Sequence, residues 1–186
     1  MKPDEAPQAS PMKNKHTDDL IDHYWGSISY ISELIKSSEL KAGLILSFYG
    51  ILLNFIFENI EKARIELSND IFFNILLVFW FCSTAASIFF SIRCFMPRIE
   101  GKYEKNIFFF RDVITKFGNI KEFAKTFHKV SINEDEVFDQ LGQQIYINSK
   151  IASLKFKNVN RSLQLLAIGL LLLLAIVMYY AATTFK

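Results

Sequence analysis

The chain has 186 residues, 51% of them hydrophobic and 19 of them Phe, with a formal net charge of only +2. A charge so near zero excludes binding to nucleic acid through the overall field. About 60 residues of spanning helix leave room for one small water-facing module, and none for a second domain of ordinary size.

In chain order, residues 1–16 are polar and Pro-containing, lack the apolar stretch of a signal peptide, and are expected to be a disordered tail. Residues 17–40 read as an amphipathic helix: Leu20, Tyr24, Ile28, Ile31 and Ile35 recur every three or four residues after a Thr17 cap and two acids. The first span is expected over 41–60, built on the uncharged run AGLILSFYGILLNFIF. The second is expected over 71–93 and the third over 161–183, built on the uncharged run SLQLLAIGLLLLLAIVMYYAATTF at Ser162–Phe185. Each approaches the roughly 20 apolar residues that a bilayer requires. The fold class is therefore an all-α membrane protein with three transmembrane helices.

Residues 94–160 are expected to form a small helical module. Tyr103–Phe117 reads as one helix, Gly118-Asn119 as a break, and Ile120–Val130 as a second helix with Phe123 and Phe127 at i,i+4. Asn133 with Glu136 resembles a capping box, and three acids fill the first turn. No Pro follows Pro97, so this last helix is expected to run unbroken into the third span.

Basic residues set the expected orientation. Thirteen lie from Arg93 to Arg161, five in residues 1–41, two (Lys62 and Arg64) in the short link after span one, and Lys186 stands alone at the end. The positive-inside rule then puts the N-terminus and the large loop in the cytoplasm and the C-terminus outside.

Little in the chain suggests catalysis. Cys82 and Cys94 lie twelve residues apart, roughly 18 Å on one helix, too far to bridge. His16, Asp19 and His23 share a helix face without a closing fourth ligand, so solvated residues are expected and no metal. No nucleophile with a base and no phosphate loop is visible, and the protein is expected not to be an enzyme and to need no cofactor. The spans carry almost no ionisable residues, which argues against a pump or transporter. They do carry small-residue faces: Gly43, Ser47, Gly50 and Asn54 on span one, and Ser83, Ser87 and Ser91 on span two. Such faces suit close helix packing, within one chain or between copies.

The most unusual segment is Gln140–Arg161. Gln144, Asn148, Ile151 and Lys155 share one face, with Lys150, Lys157 and Arg161 beside it and Arg98 and Arg111 at the other end of the loop. One reading is contact with anionic lipid, about 1 kcal/mol per basic residue. The other is an anion pocket in which Arg98, Arg111, Asn148, Lys150 and Lys155 hold a phosphate while Tyr103, Phe109, Phe110 or Tyr146 stacks a base.

Four stretches carry a family resemblance: KAGLILSFYGILL at Lys41–Leu53, MPRI at Met96–Ile99, FFFRD at Phe108–Asp112 and QIYINSKIASLKFKNV at Gln144–Val159. In order and spacing the chain resembles the transmembrane effectors of the pyrimidine-cyclase anti-phage systems (Pycsar), over roughly residues 24–182. The resemblance implies a multi-pass protein of the bacterial inner membrane. Such an effector senses cyclic CMP or cyclic UMP from a partner cyclase and impairs the membrane, causing abortive infection. The lipid bilayer and further copies of the chain are the other expected partners. The competing expectation is a constitutive membrane scaffold whose water-facing helices bind a protein.

Overall fold

The computed structural model describes residues 11–67, 70–96 and 104–184, and the side chains of 16–58, 70–96 and 104–183. All regular structure among these residues is helical: α1 (Pro11–Leu67), α2 (Ile71–Phe95), α3 (Phe110–Thr115), α4 (Ile120–Ser131) and α5 (Glu134–Thr184). Helices α1, α2 and α5 are long and apolar enough to cross a membrane. The chain is an all-α membrane protein whose last helix is long.

Helix α1 begins at Pro11, inside the segment expected to be a tail, and passes without a break from the amphipathic stretch into the first span. No residue of α1 after Pro11 is a Pro, so no helix-breaking ring interrupts its ladder. Helix α2 is capped by Asp70, whose carboxylate accepts from the amides of Phe72 and Phe73. The Tyr179 hydroxyl also donates to Asp70.

The residues divide into two compact units. The described part of the span unit comprises residues 34–67, 70–96 and 151–184. Its core is Ala42, Ile45 and Tyr49 of α1, Cys94 of α2 and Val159 of α5, with Leu52, Ile88 and Leu166 packed against them. Bulky residues such as Leu44, Phe55, Phe79, Phe81, Leu171 and Leu174 lie exposed on the outside. Lipid solvates that surface, so burying more of it yields no hydrophobic gain. Close contact and hydrogen bonding hold the spans instead. Ser83 donates to the Leu165 carbonyl (2.9 Å), Ser87 to the Ser162 carbonyl (2.8 Å), and Ser162 and Ser91 share a 2.7 Å hydroxyl contact. The serine face of span two therefore packs within the chain, against α5. On span one Gly43 lies close to Phe95, whereas Ser47, Gly50 and Asn54 are exposed.

The loop unit's described part comprises residues 11–33 and 104–150. Ile28, Ile107, Val130, Leu141 and Ile147 are buried in it. Aromatic contacts run from Trp25 to Phe108 and from Phe108 to Phe127, with ring centroids 5.8 and 6.2 Å apart. Tyr24 meets Phe138 at 5.4 Å. Gly118 takes φ +73°, a left-handed conformation that ends α3's segment, and Asn119 caps α4 by accepting from the amides of Lys121 and Glu122.

The helix expected over Tyr103–Phe117 is shorter than the sequence suggests, since α3 starts only at Phe110. Asn106 is the cause. Its side-chain carbonyl accepts from the Phe108 amide (2.9 Å), and its side-chain amide donates to the Gln140 carbonyl (2.6 Å). Its backbone amide donates to Asp112 (3.2 Å), and the Ile107 amide donates to Gln140 Oε1 (3.0 Å). Asparagine offers the backbone an alternative to helical bonds, and here it prevails.

Candidate functional site

The loop unit's interior is polar where α5 enters it. Asn106 and Asp112 are fully or nearly buried, and Asp112 is ion-paired with Lys116 at 3.0 Å. One to two turns along α5 from Gln140, Gln144 and Asn148 are each 8% exposed. Gln144 Nε2 donates to Asn148 Oδ1 at 3.3 Å, while Gln144 Oε1 has no hydrogen-bond partner among the described residues. A buried acceptor left unmatched costs about 1–3 kcal/mol, and so marks a place where a donor is wanted.

The residues expected to hold an anion are distributed as follows. Arg111 is exposed on α3, Asn148 is buried beside Gln144, and Lys150 is half-buried two residues on; all three belong to the loop unit. Arg98 and the stacking candidate Tyr103 lie outside the described residues. Lys155 belongs to the span unit. It is 4% exposed and its ammonium donates to Glu39 (2.6 Å) and to the Cys94 carbonyl (2.9 Å). Its charge is balanced there by the Glu39 carboxylate. Among the stacking candidates, Phe109 is half-buried, while Phe110 and Tyr146 are exposed.

A concavity of about 600 Å³ lies along α1, lined by Asp19, Asp22, His23, Gly26, Ser27 and Tyr30. Its two carboxylates repel a phosphate. No group of three or more His, Cys, Asp or Glu side chains converges among the described residues to hold a metal.

Around Lys155 all three spans meet. The Cys94 thiol lies 3.6 Å from the carbonyls of Ser38 and Lys155, Asn158 donates to the Arg93 carbonyl, and Lys41 sits over the Phe156 ring. Arg161 covers Phe90 at 5.5 Å and Arg93 covers Phe89 at 5.9 Å. Each of these cations sets its charged head over an aromatic face, a favourable cation–π contact. Near the opposite end of α2, the Tyr179 hydroxyl and the two capping amides hold the Asp70 carboxyl below its ordinary value.

Sequence reasoning placed Lys155 and Asn148 on one face of α5 but missed Glu39, Asn106, Asp112, Gln140 and the orphan acceptor of Gln144. The signal for Asn106 was its type, a residue that bonds its own backbone. Glu39 gave none, since its partner lies 116 residues away.

These features define an all-α membrane protein of three spanning helices, joined to a compact helical unit with a polar interior. The chain belongs to the Pycsar transmembrane effectors: the family model described as the Pycsar effector protein domain (PycTM) matches residues 23–182. The Pycsar effector protein SaPycTM of Staphylococcus aureus is 34% identical over 147 residues, covering 76% of this chain and 84% of that one. The Pycsar effector protein PtPycTM of Propioniciclava tarda is 27% identical over 158 residues, covering 80% and 74%. No solved structure matches the chain.

Proposed function

We propose that this effector acts in anti-phage defence by sensing a cyclic pyrimidine mononucleotide, cyclic CMP or cyclic UMP, made by a partner cyclase. Binding leads it to impair the bacterial inner membrane, so that the infected cell stops growing before phage is released. The family match across residues 23–182 carries this reading, because it takes in both the loop unit and all three spans. The excess of basic residues in the loop supports a cytoplasmic loop unit and N-terminus, with the C-terminus outside.

The buried amides supply a means of reading the base. Gln144 Oε1 accepts from an exocyclic amino group or a ring imide, and Asn148 Nδ2 donates to the adjacent ring nitrogen or carbonyl. Arg111 and Lys150 are the cations of the same unit that would balance the cyclic phosphate. The exposed Ser47, Gly50 and Asn54 face of α1 supports assembly of several copies in the bilayer.

The test is thermal melting of the detergent-purified chain with cyclic CMP, cyclic UMP, cyclic AMP and cyclic GMP. A ligand at one hundred times its Kd adds about 2.7 kcal/mol to the stability of the folded state. A rise in Tm with one pyrimidine nucleotide alone is the expected result. No rise with any of the four, in protein shown to be folded, favours the scaffold reading. One observation supports that second reading: Phe110, Ile114, Ile120 and Ile132 project from the loop unit as exposed apolar residues fit for a protein partner.

A further inference from the structure

Two exposed helix faces of the loop unit carry opposite charge. On α1, Tyr24 and Ile28 turn inward, Tyr24 against Phe138. Asp19, Asp22, Gly26 and Tyr30 recur every three or four residues on the outer side, and all are exposed. They line the concavity of about 600 Å³, which is open at Gly26, where an added Cβ meets nothing within 4 Å. From His16 to Glu33 the helix holds carboxylates at Asp18, Asp19, Asp22 and Glu33, and no Lys or Arg.

Helix α4 is the counterpart in charge. Val130 is buried, and Phe123 packs on Phe117 and Phe127. Lys121, Lys125 and Lys129 stand one turn apart on the outer side, exposed, and the C-cap residue Ile132 is 72% exposed. Among the described residues none of these lysines, nor Asp19 or Asp22, has an ion pair. The loop unit therefore holds an acidic notch and a basic ridge that do not neutralise each other within one chain.

We propose that the α4 ridge of one copy docks on the α1 notch of a second copy. The spacings correspond. Asp19 to Gly26 and Lys125 to Ile132 are each a separation of seven residues, about 10.5 Å at the helical rise. With the two helices side by side and parallel, Lys125 and Lys129 meet Asp19 and Asp22. Ile132 then enters the open place at Gly26, beside the Tyr30 ring. The two faces differ, so the contact is head to tail. Each copy keeps one free face of either kind, and assembly can continue past the dimer.

Exposed ion pairs are individually weak. Chains held in one bilayer, however, meet at high effective concentration, and burial of Ile132 adds an apolar anchor. Opposite charges across the contact also suppress the wrong pairings, ridge on ridge and notch on notch. An anionic lipid surface would satisfy the lysines, but it would repel the carboxylates of the notch. A second copy uses both faces.

The experiment joins two full-length chains in vesicles of phosphatidylethanolamine and phosphatidylglycerol. Both carry Cys82→Ala and Cys94→Ser, which remove the native thiols. One chain has Gly26→Cys and the other Ile132→Cys. Mild oxidation is expected to give the mixed disulfide dimer, with little self-pairing of either chain. Adding Asp19→Lys and Asp22→Lys to the Gly26→Cys chain should reduce the mixed dimer to background. Adding Lys125→Glu and Lys129→Glu to its partner as well should restore it, which also shows that the reversed chains are folded. Mixed dimer that is absent from the start, in chains shown to be helical by circular dichroism, overturns the proposal. So does mixed dimer that ignores the charge reversal. A yield that depends on the lysines but not on Asp19 and Asp22 assigns α4 to the lipid surface and overturns it too. No nucleotide is present, so the outcome is independent of the sensing reading.

Discussion

At the scale of single residues, Asn106 organises more of the loop unit than any charged group. It closes the turn at Phe108, reaches the Gln140 carbonyl and donates its amide to Asp112. Asn106→Ala removes both side-chain bonds and strands the Phe108 amide, a cost of about 1–3 kcal/mol, while the Gln140 carbonyl keeps its helical bond within α5 and loses only the second, shared one. The expected outcome is a loss of about 2–4 kcal/mol, read as a lower Tm of the loop unit or faster amide exchange at Phe108. The residue type was legible in the sequence as one that breaks helices, but its target was not, because Gln140 lies 34 residues on. The same distinction applies to Lys155. Its place on a polar face of α5 follows from spacing alone, whereas its commitment to Glu39 depends on how three helices meet, which periodicity does not encode.

At the scale of elements, the long apolar runs made α2 and the membrane parts of α1 and α5 legible, because a bilayer demands an unmistakable length of uncharged chain. The ends of the elements were less so. Helix α3 is cut short by a side chain, and α1 starts early because its polar first turns continue the ladder. The start of α2 yields a test. Asp70 caps it and accepts from Tyr179, and its carboxyl titrates below the ordinary value near 3.8. A depressed carboxylate contributes stability in full above its unfolded pKa and loses it as the pH falls through the folded one. The Tm difference between the parent and Asp70→Asn is therefore expected at neutral pH and should vanish on acidification below the ordinary carboxylate range. A difference that persists in acid would mean that the cap acts without its charge.

At the scale of the whole molecule, the span unit is largely apolar on its outside, the inverse of a water-soluble protein, and its packed interior sets small hydroxyls beside Ala42, Ile45, Cys94 and Val159. Substitutions should follow that inversion. Leu171→Ala, on the lipid face, is expected to leave Tm and fold unchanged, since lipid fills the lost volume. Gly50→Ile tests the open face of α1, where no neighbouring atom lies within 4 Å of an added Cβ. The single chain should tolerate it, while any assembly of chains through that face should fall apart in native mass spectrometry or cross-linking. Retained assembly would place the contact on another face. The two-unit division itself was only partly legible, because the sequence presents the first helix and the loop as separate segments, and only the fold brings residues 11–33 and 104–150 into one unit.

That interleaving limits how such a protein can be rebuilt. The loop unit takes its chain from both sides of the first two spans, and α1 and α5 each thread through both units. No single cut releases the loop unit from the spans, and no simple gene fusion can graft it onto another set of helices. A lineage that alters the loop unit must do so by substitution within a shared framework, where a change to α1 or α5 in one unit is a change to a helix of the other.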